Sequence, residues 1–195
     1  MLGLVLVYLL GCFPSGLLIS HIVGDDVTKK GSGNVGATNV ARSLGLKYGL
    51  IVLILDALKG LLGVMVGVRF GIDPRISALV AVLGHVISIP YVLKGGKGVA
   101  TFLGSLLGLS IFGFFMFLVS FIASFFLTKI VSISSLIAVW LVCALLLSET
   151  EPFTQSFFAP LVICAIVTVA HTKNLVRLFN GTEPKFNIPS KLSKG

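Results

Sequence analysis

The 195-residue chain is 56% hydrophobic and only 11% charged, with a mean hydropathy of +1.08. These values exclude an ordinary soluble domain and indicate an integral membrane protein, read as one domain over 1–195. The formal charge of +8 does not call for a nucleic-acid partner: the basic residues sit in short gaps between apolar runs, as orientation signals and headgroup contacts do.

The first apolar run, 2–23, has no basic segment ahead of it and contains Pro14-Ser15-Gly16, so it reads as a retained span rather than a cleaved leader. Six further apolar stretches follow at 47–70, 75–93, 98–108, 109–128, 131–147 and 154–170. Several match the roughly 20 residues that cross a hydrocarbon core, while 98–108 is short. The expected fold is all-α and polytopic: seven transmembrane helices, some short or broken. A six-span alternative treats 98–128 as one long helix kinked around Gly104, Gly108 and Gly113. Charge decides between them. With seven spans, twelve cations fall on one side: Lys29, Lys30, Arg42, Lys47, Lys94, Lys97, Lys129, Lys173, Arg177, Lys185, Lys191 and Lys194. Only Arg69 and Arg75 fall on the other. That bias places the N-terminus outside and the C-terminus in the cytoplasm. Cys12, Cys143 and Cys164 all lie in apolar runs and read as small buried hydrophobes.

Three polar segments then face the cytoplasm together. The first, Gly31-Ser32-Gly33-Asn34-Val35-Gly36-Ala37-Thr38-Asn39 with Arg42, combines flexible backbone, short donors and a fixed guanidinium. Such a loop suits a phosphate. The second, Gly84-His85 and Lys94-Gly95-Gly96-Lys97-Gly98-Val99-Ala100-Thr101, places glycines and a lysine before a helix start. It lacks the spacing of a nucleotide-hydrolysing loop. The third carries His171, Asn174 and Arg177 at three-residue spacing, hence on one helical face, followed by Glu183. Asp56 and Lys59, three apart within the second span, read chiefly as an internal ion pair, with a positioning role for Asp56 as the alternative. A Ser32–His171 nucleophile pair has only Glu183 as an acidic orienter. There is no metal-ligand spacing, and no cofactor is expected.

The three blocks occur in the order found in the bacterial acyl-phosphate:glycerol-3-phosphate acyltransferases, which the chain resembles over nearly its whole length. One departure is visible: the family's proline three residues after the motif histidine is Ser88 here, with proline at Pro90. The resemblance implies transfer of a fatty acyl group from acyl phosphate to the 1-hydroxyl of sn-glycerol 3-phosphate, giving lysophosphatidate and phosphate. It further implies a multi-pass protein of the bacterial cytoplasmic membrane whose site faces the cytoplasm, and a soluble enzyme supplying the acyl phosphate. In this reading Ser32, His171 and Asn174 are catalytic. Gly33, Asn34, Gly36, Ala37, Thr38, Asn39, Arg42, Gly95, Gly96, Lys97, Gly98 and Arg177 bind substrate. His85, Asp56, Lys59 and Glu183 support them. A transporter of a phosphorylated solute is the rival reading, weakened by the one-sided charge and the lack of an inverted repeat.

Overall fold

The computed structural model describes residues 1–89 and 95–186. Ten α-helices follow one another, and the described residues contain no strand. α1 (Leu2–Gly11) and α2 (Ser15–Val23) form one apolar segment broken at Pro14, which cannot donate a backbone hydrogen bond. At the break the Phe13 carbonyl turns inward, accepting from Ser15 N–H at 3.0 Å and from the Lys59 ammonium at 2.9 Å. A short 3-10 turn, Val27–Lys29, and α3 (Ala37–Leu44) lead to α4 (Leu46–Arg69), with Gly45 at φ 107° separating the two helices. α5 (Pro74–Val86) starts with Asp73 accepting from Arg75 N–H at 2.7 Å and proline in its first turn.

α5 stops well short of the expected 75–93. Gly96 N–H folds back onto the His85 carbonyl at 3.1 Å, and Ile89 N–H goes to Tyr8 Oη at 3.3 Å. These partners satisfy the end of the helix from outside it. Pro90, where the sequence departs from the family's pattern, and the cations Lys94, Lys191 and Lys194 lie outside the described residues.

α6 (Val99–Leu109) and α7 (Ile111–Thr128) meet at Ser110, whose side chain accepts from Gly113 N–H at 3.0 Å. The Phe102 and Phe117 rings stand 6.4 Å apart. Along one continuous helix, fifteen residues would separate them by about 22 Å. The chain therefore reverses at Ser110, and the single kinked helix is excluded. Lys129, at φ 60°, caps α7 in the left-handed region before α8 (Val131–Ser148). α9 (Phe158–Ala170) begins later than the expected 154 because turns occupy the approach to it. α10 (Thr172–Phe179) is bent 59° from α9 at His171.

Each of the seven apolar runs read from the sequence contains helix, but the helices differ in reach. Leu2–Val23, α4, α7 and α8 have the length and hydropathy to cross a membrane. α5, α6 and α9 span 13, 11 and 13 residues, about 17–20 Å, against a core of about 30 Å. α6 turns one face wholly inward: Thr101, Phe102, Ser105 and Leu106 are fully buried. Phe102 and Leu106 pack with Val64, Val82, Val139 and Ile163 into the main core. Outward, α7 presents Phe112, Phe115, Val119, Ile122 and Phe126, an apolar stripe that only lipid can cover. This is a multi-pass membrane fold.

Candidate active site

Four segments that are distant in sequence meet at one end of the bundle, around a cavity of about 230 Å³. They are the Ser32–Arg42 loop with α3, the Lys97 turn with the start of α6, the start of α8, and the His171–Glu183 segment.

The first loop is shaped by Asn39. Its Oδ1 accepts Ser32 N–H at 2.8 Å, and its amide donates to the carbonyls of Asn34, Lys30 and Val27 at 2.8, 3.1 and 3.2 Å. Asn39 is only 3% exposed and holds the loop together. It lines the cavity, but its polar atoms bond the loop's own backbone. Asn34 Oδ1 accepts Gly36 N–H at 2.8 Å and so turns the chain into α3. The N–H groups of Ala37 and Thr38 find no partner among the described residues and open on the cavity.

The second segment repeats this device. Gly98, at φ 81°, caps α6, and Val99 and Ala100 line the cavity with N–H groups unpartnered among the described residues. Two helix N-termini, each an anion-binding end, therefore converge on one space beside Arg42 and Lys97. Burial first, then the cations Arg177 and Arg42, pull the Lys97 ammonium down to about 8, against an opposing pull from Glu183. Burial also lowers Arg42. These are incompletely neutralised cations, suited to an anionic ligand.

The third segment is organised by Glu183. One carboxylate oxygen accepts from Ser132 Oγ at 2.8 Å and Asn174 Nδ2 at 2.5 Å; the other pairs with Arg177 Nε at 2.8 Å. Burial opposes ionisation, but these bonds outweigh it and hold the Glu183 pKa below the usual glutamate range. Pro184 and Phe186 continue as a strap: Arg42 donates to the Pro184 carbonyl at 3.1 Å and lies over the Phe186 ring at 5.8 Å. Asn174, expected to be catalytic, lines the cavity with one amide N–H committed to Glu183, which leaves its carbonyl oxygen and its second N–H for substrate. Arg177 is tied to the same carboxylate and does not line the cavity.

His171 lies past the end of α9, fully enclosed, with Nδ1 donating to the Val167 carbonyl at 2.8 Å. A carbonyl can only accept, so Nδ1 carries the proton and Nε2 is a lone-pair acceptor. Burial and the nearby Lys97 lower its pKa to about 4. No hydrogen bond joins His171 to Ser32 or to Glu183 among the described residues. The Ser–His–acid arrangement is not assembled.

Ser32, Asn34, Gly36, Ala37, Thr38, Arg42, Lys97, Gly98 and His171 line the cavity as expected. Gly33, Gly95 and Gly96 do not. Gly95 and Gly96 instead press on the His85 backbone and ring, where a Cβ would collide. Sequence reasoning missed Ser132 and Ser135 on α8, although serines at the start of an apolar run just after Lys129 were a readable signal. It also missed the apolar wall, where Leu53, Leu103, Phe117, Leu118 and Phe121 continue the cavity into the bundle. Asp56 and Lys59 do form a buried pair at 2.8 Å.

A family profile described as glycerol-3-phosphate acyltransferase matches residues 1–181. The glycerol-3-phosphate acyltransferase of Brucella ovis is 40% identical over 185 residues, covering 94% of this chain and 91% of that protein. The Geobacter sulfurreducens protein of the same name is 42% identical over 182 residues, covering 92% and 93%. A solved structure of PlsY (YgiH), an integral membrane glycerol 3-phosphate acyltransferase in its glycerol 3-phosphate form, superposes with a TM-score of 0.89 at 35% identity over 98% of this chain and 97% of that one. Its lysophosphatidic acid form gives 0.85 over 99% and 98%. With its motifs gathered at one cavity and its whole fold shared with these proteins, the chain belongs to the glycerol-3-phosphate acyltransferase family.

Proposed function

We propose that the protein transfers a fatty acyl group from acyl phosphate to the 1-hydroxyl of sn-glycerol 3-phosphate, releasing lysophosphatidate and phosphate. One observation supports this above others: two helix N-termini with Arg42 and Lys97 converge on a single cavity whose far wall is apolar. That arrangement suits two phosphate groups and the start of an acyl chain. Family membership decides against the transporter reading. The α3 end, with Ser32, Asn34 and Thr38, takes the acyl phosphate; the Lys97 turn and Arg42 clamp glycerol 3-phosphate; His171 Nε2 and the Asn174 carbonyl align the attacking hydroxyl.

The hydroxyl oxygen attacks the acyl carbon, and the bond to phosphate breaks with its electron pair leaving on phosphate. The proton has two possible acceptors. An imidazole near 4 is a weaker base than a phosphate oxygen, whose second pKa lies near 6. The departing phosphate takes it, and His171 orients. Catalysis is thus positioning and electrostatics, with no acyl-enzyme. The site faces the cytoplasm of the bacterial inner membrane, where a soluble enzyme supplies the acyl phosphate.

The test is an assay of purified protein with labelled glycerol 3-phosphate and palmitoyl phosphate, adding neither metal nor thioester. Lysophosphatidate is the expected product. Product from acyl-CoA alone would overturn the donor assignment.

A further inference from the structure

His85 ends α5 at 6% exposure and touches three other segments at once. Its Nδ1 lies 2.9 Å from Thr101 Oγ1 on α6 and 3.5 Å from Asp56 Oδ1 on α4. Its carbonyl holds Gly96 N–H at 3.1 Å. Its Nε2 edge lies so close to Gly96 that any Cβ there would collide with the ring. Thr101 Oγ1 and the Asp56 carboxylate both face Nδ1, and Nε2 is the edge turned toward the glycine. Asp56 is fixed in turn by Lys59 Nζ at 2.8 Å and by the Ser15 hydroxyl, and Lys59 by the Phe13 carbonyl. A plain ion pair mending the break at Pro14 needs Asp56 and Lys59. It needs neither the histidine nor a glycine cut to fit the imidazole.

We propose that Asp56 and His85 are positioning residues for the anion clamp at Lys97. Asp56 sets the orientation of the imidazole, and the ring and carbonyl of His85 fix Gly96. Gly96 then sets the direction of Lys97 and of the open N–H groups of Val99 and Ala100. This rests on the reading of Lys97 as the glycerol 3-phosphate clamp.

The experiment measures kcat and both KM values for purified full-length variants with palmitoyl phosphate. His85→Ala is expected to raise the glycerol 3-phosphate KM about tenfold, with kcat and the palmitoyl phosphate KM within about twofold of the parent. His85→Asn, which keeps a donor near Nδ1, recovers part of that loss. The His85→Ala/Lys97→Ala pair loses less than the product of the two single losses, because both act on one clamp. An unchanged KM, equal losses in kcat and both KM values, or multiplicative effects in the pair would each overturn the proposal. If His85→Ala does not yield folded protein, isosteric Asp56→Asn carries the same readout. Should Lys97→Ala leave the KM untouched while His85→Ala raises it, the lysine clamp falls and the backbone of the turn is what His85 positions.

Discussion

Lys97 sits half-buried among two arginines, and its lowered pKa of about 8 makes its charge vulnerable to mild alkali. The ammonium is charged below that value and neutral above it, so the clamp weakens as pH rises. The glycerol 3-phosphate KM should climb by up to about tenfold per pH unit above about 8, and Lys97→Arg should flatten that limb because a guanidinium keeps its proton. A wild-type KM that stays level to pH 9.5 would remove the lysine charge from binding. Ser32 is exposed on the cavity wall, and its hydroxyl has no protein partner among the described residues. A hydrogen bond to a charged phosphate is worth about 1.5–3 kcal/mol, so Ser32→Ala should cut kcat about 10–100-fold; full activity would leave Ser32 as loop structure. The cation-and-glycine blocks were legible as a site because their chemistry is local. Whether each member faces the ligand was not. Arg177, Asn174 and Asn39 carry the right groups, yet other residues of the fold had already engaged them.

At the scale of helices, α4 and α6 approach through glycine. A Cβ at Gly60 would strike the Thr101 carbonyl, and one at Gly104 the Ala57 carbonyl. Small residues facing each other this way let backbones touch and strengthen van der Waals packing where no hydrophobic force acts between helices. Gly104→Val should therefore separate the pair, lowering stability by about 1–3 kcal/mol or more, read as a fall in Tm of the purified protein. A Tm within a degree of the parent would show that the contact is slack. Apolar runs revealed the helices themselves. Helix ends were harder: α5 is capped by Tyr8 and Gly96, the first some eighty positions away, and no window along the sequence contains that information.

For the molecule as a whole, charge asymmetry gave an orientation, and the meeting of four polar segments at one end agrees with its alternation. Because the native cysteines are buried, single cysteines can test the sidedness directly. In sealed right-side-out vesicles, Arg69→Cys should react with a membrane-impermeant maleimide, and Lys47→Cys and Lys173→Cys only after permeabilisation; the reverse pattern would invert the protein. The reversal at Ser110 has a thermodynamic consequence. Phe102 is level with Phe117, so the first turn of α6 lies level with about residue 120 of α7, and eight more residues of α7 rise beyond it, about 12 Å. On the proposed reading, the Lys97 turn at the start of α6 lies deeper than the tip of the α7–α8 turn. A lipid donor can present its carbonyl there without being lifted from the hydrocarbon. Each methylene left in place is worth about 0.8 kcal/mol. A site level with that tip would expose several of them in every turnover, and the short α6 spares the reaction that climb.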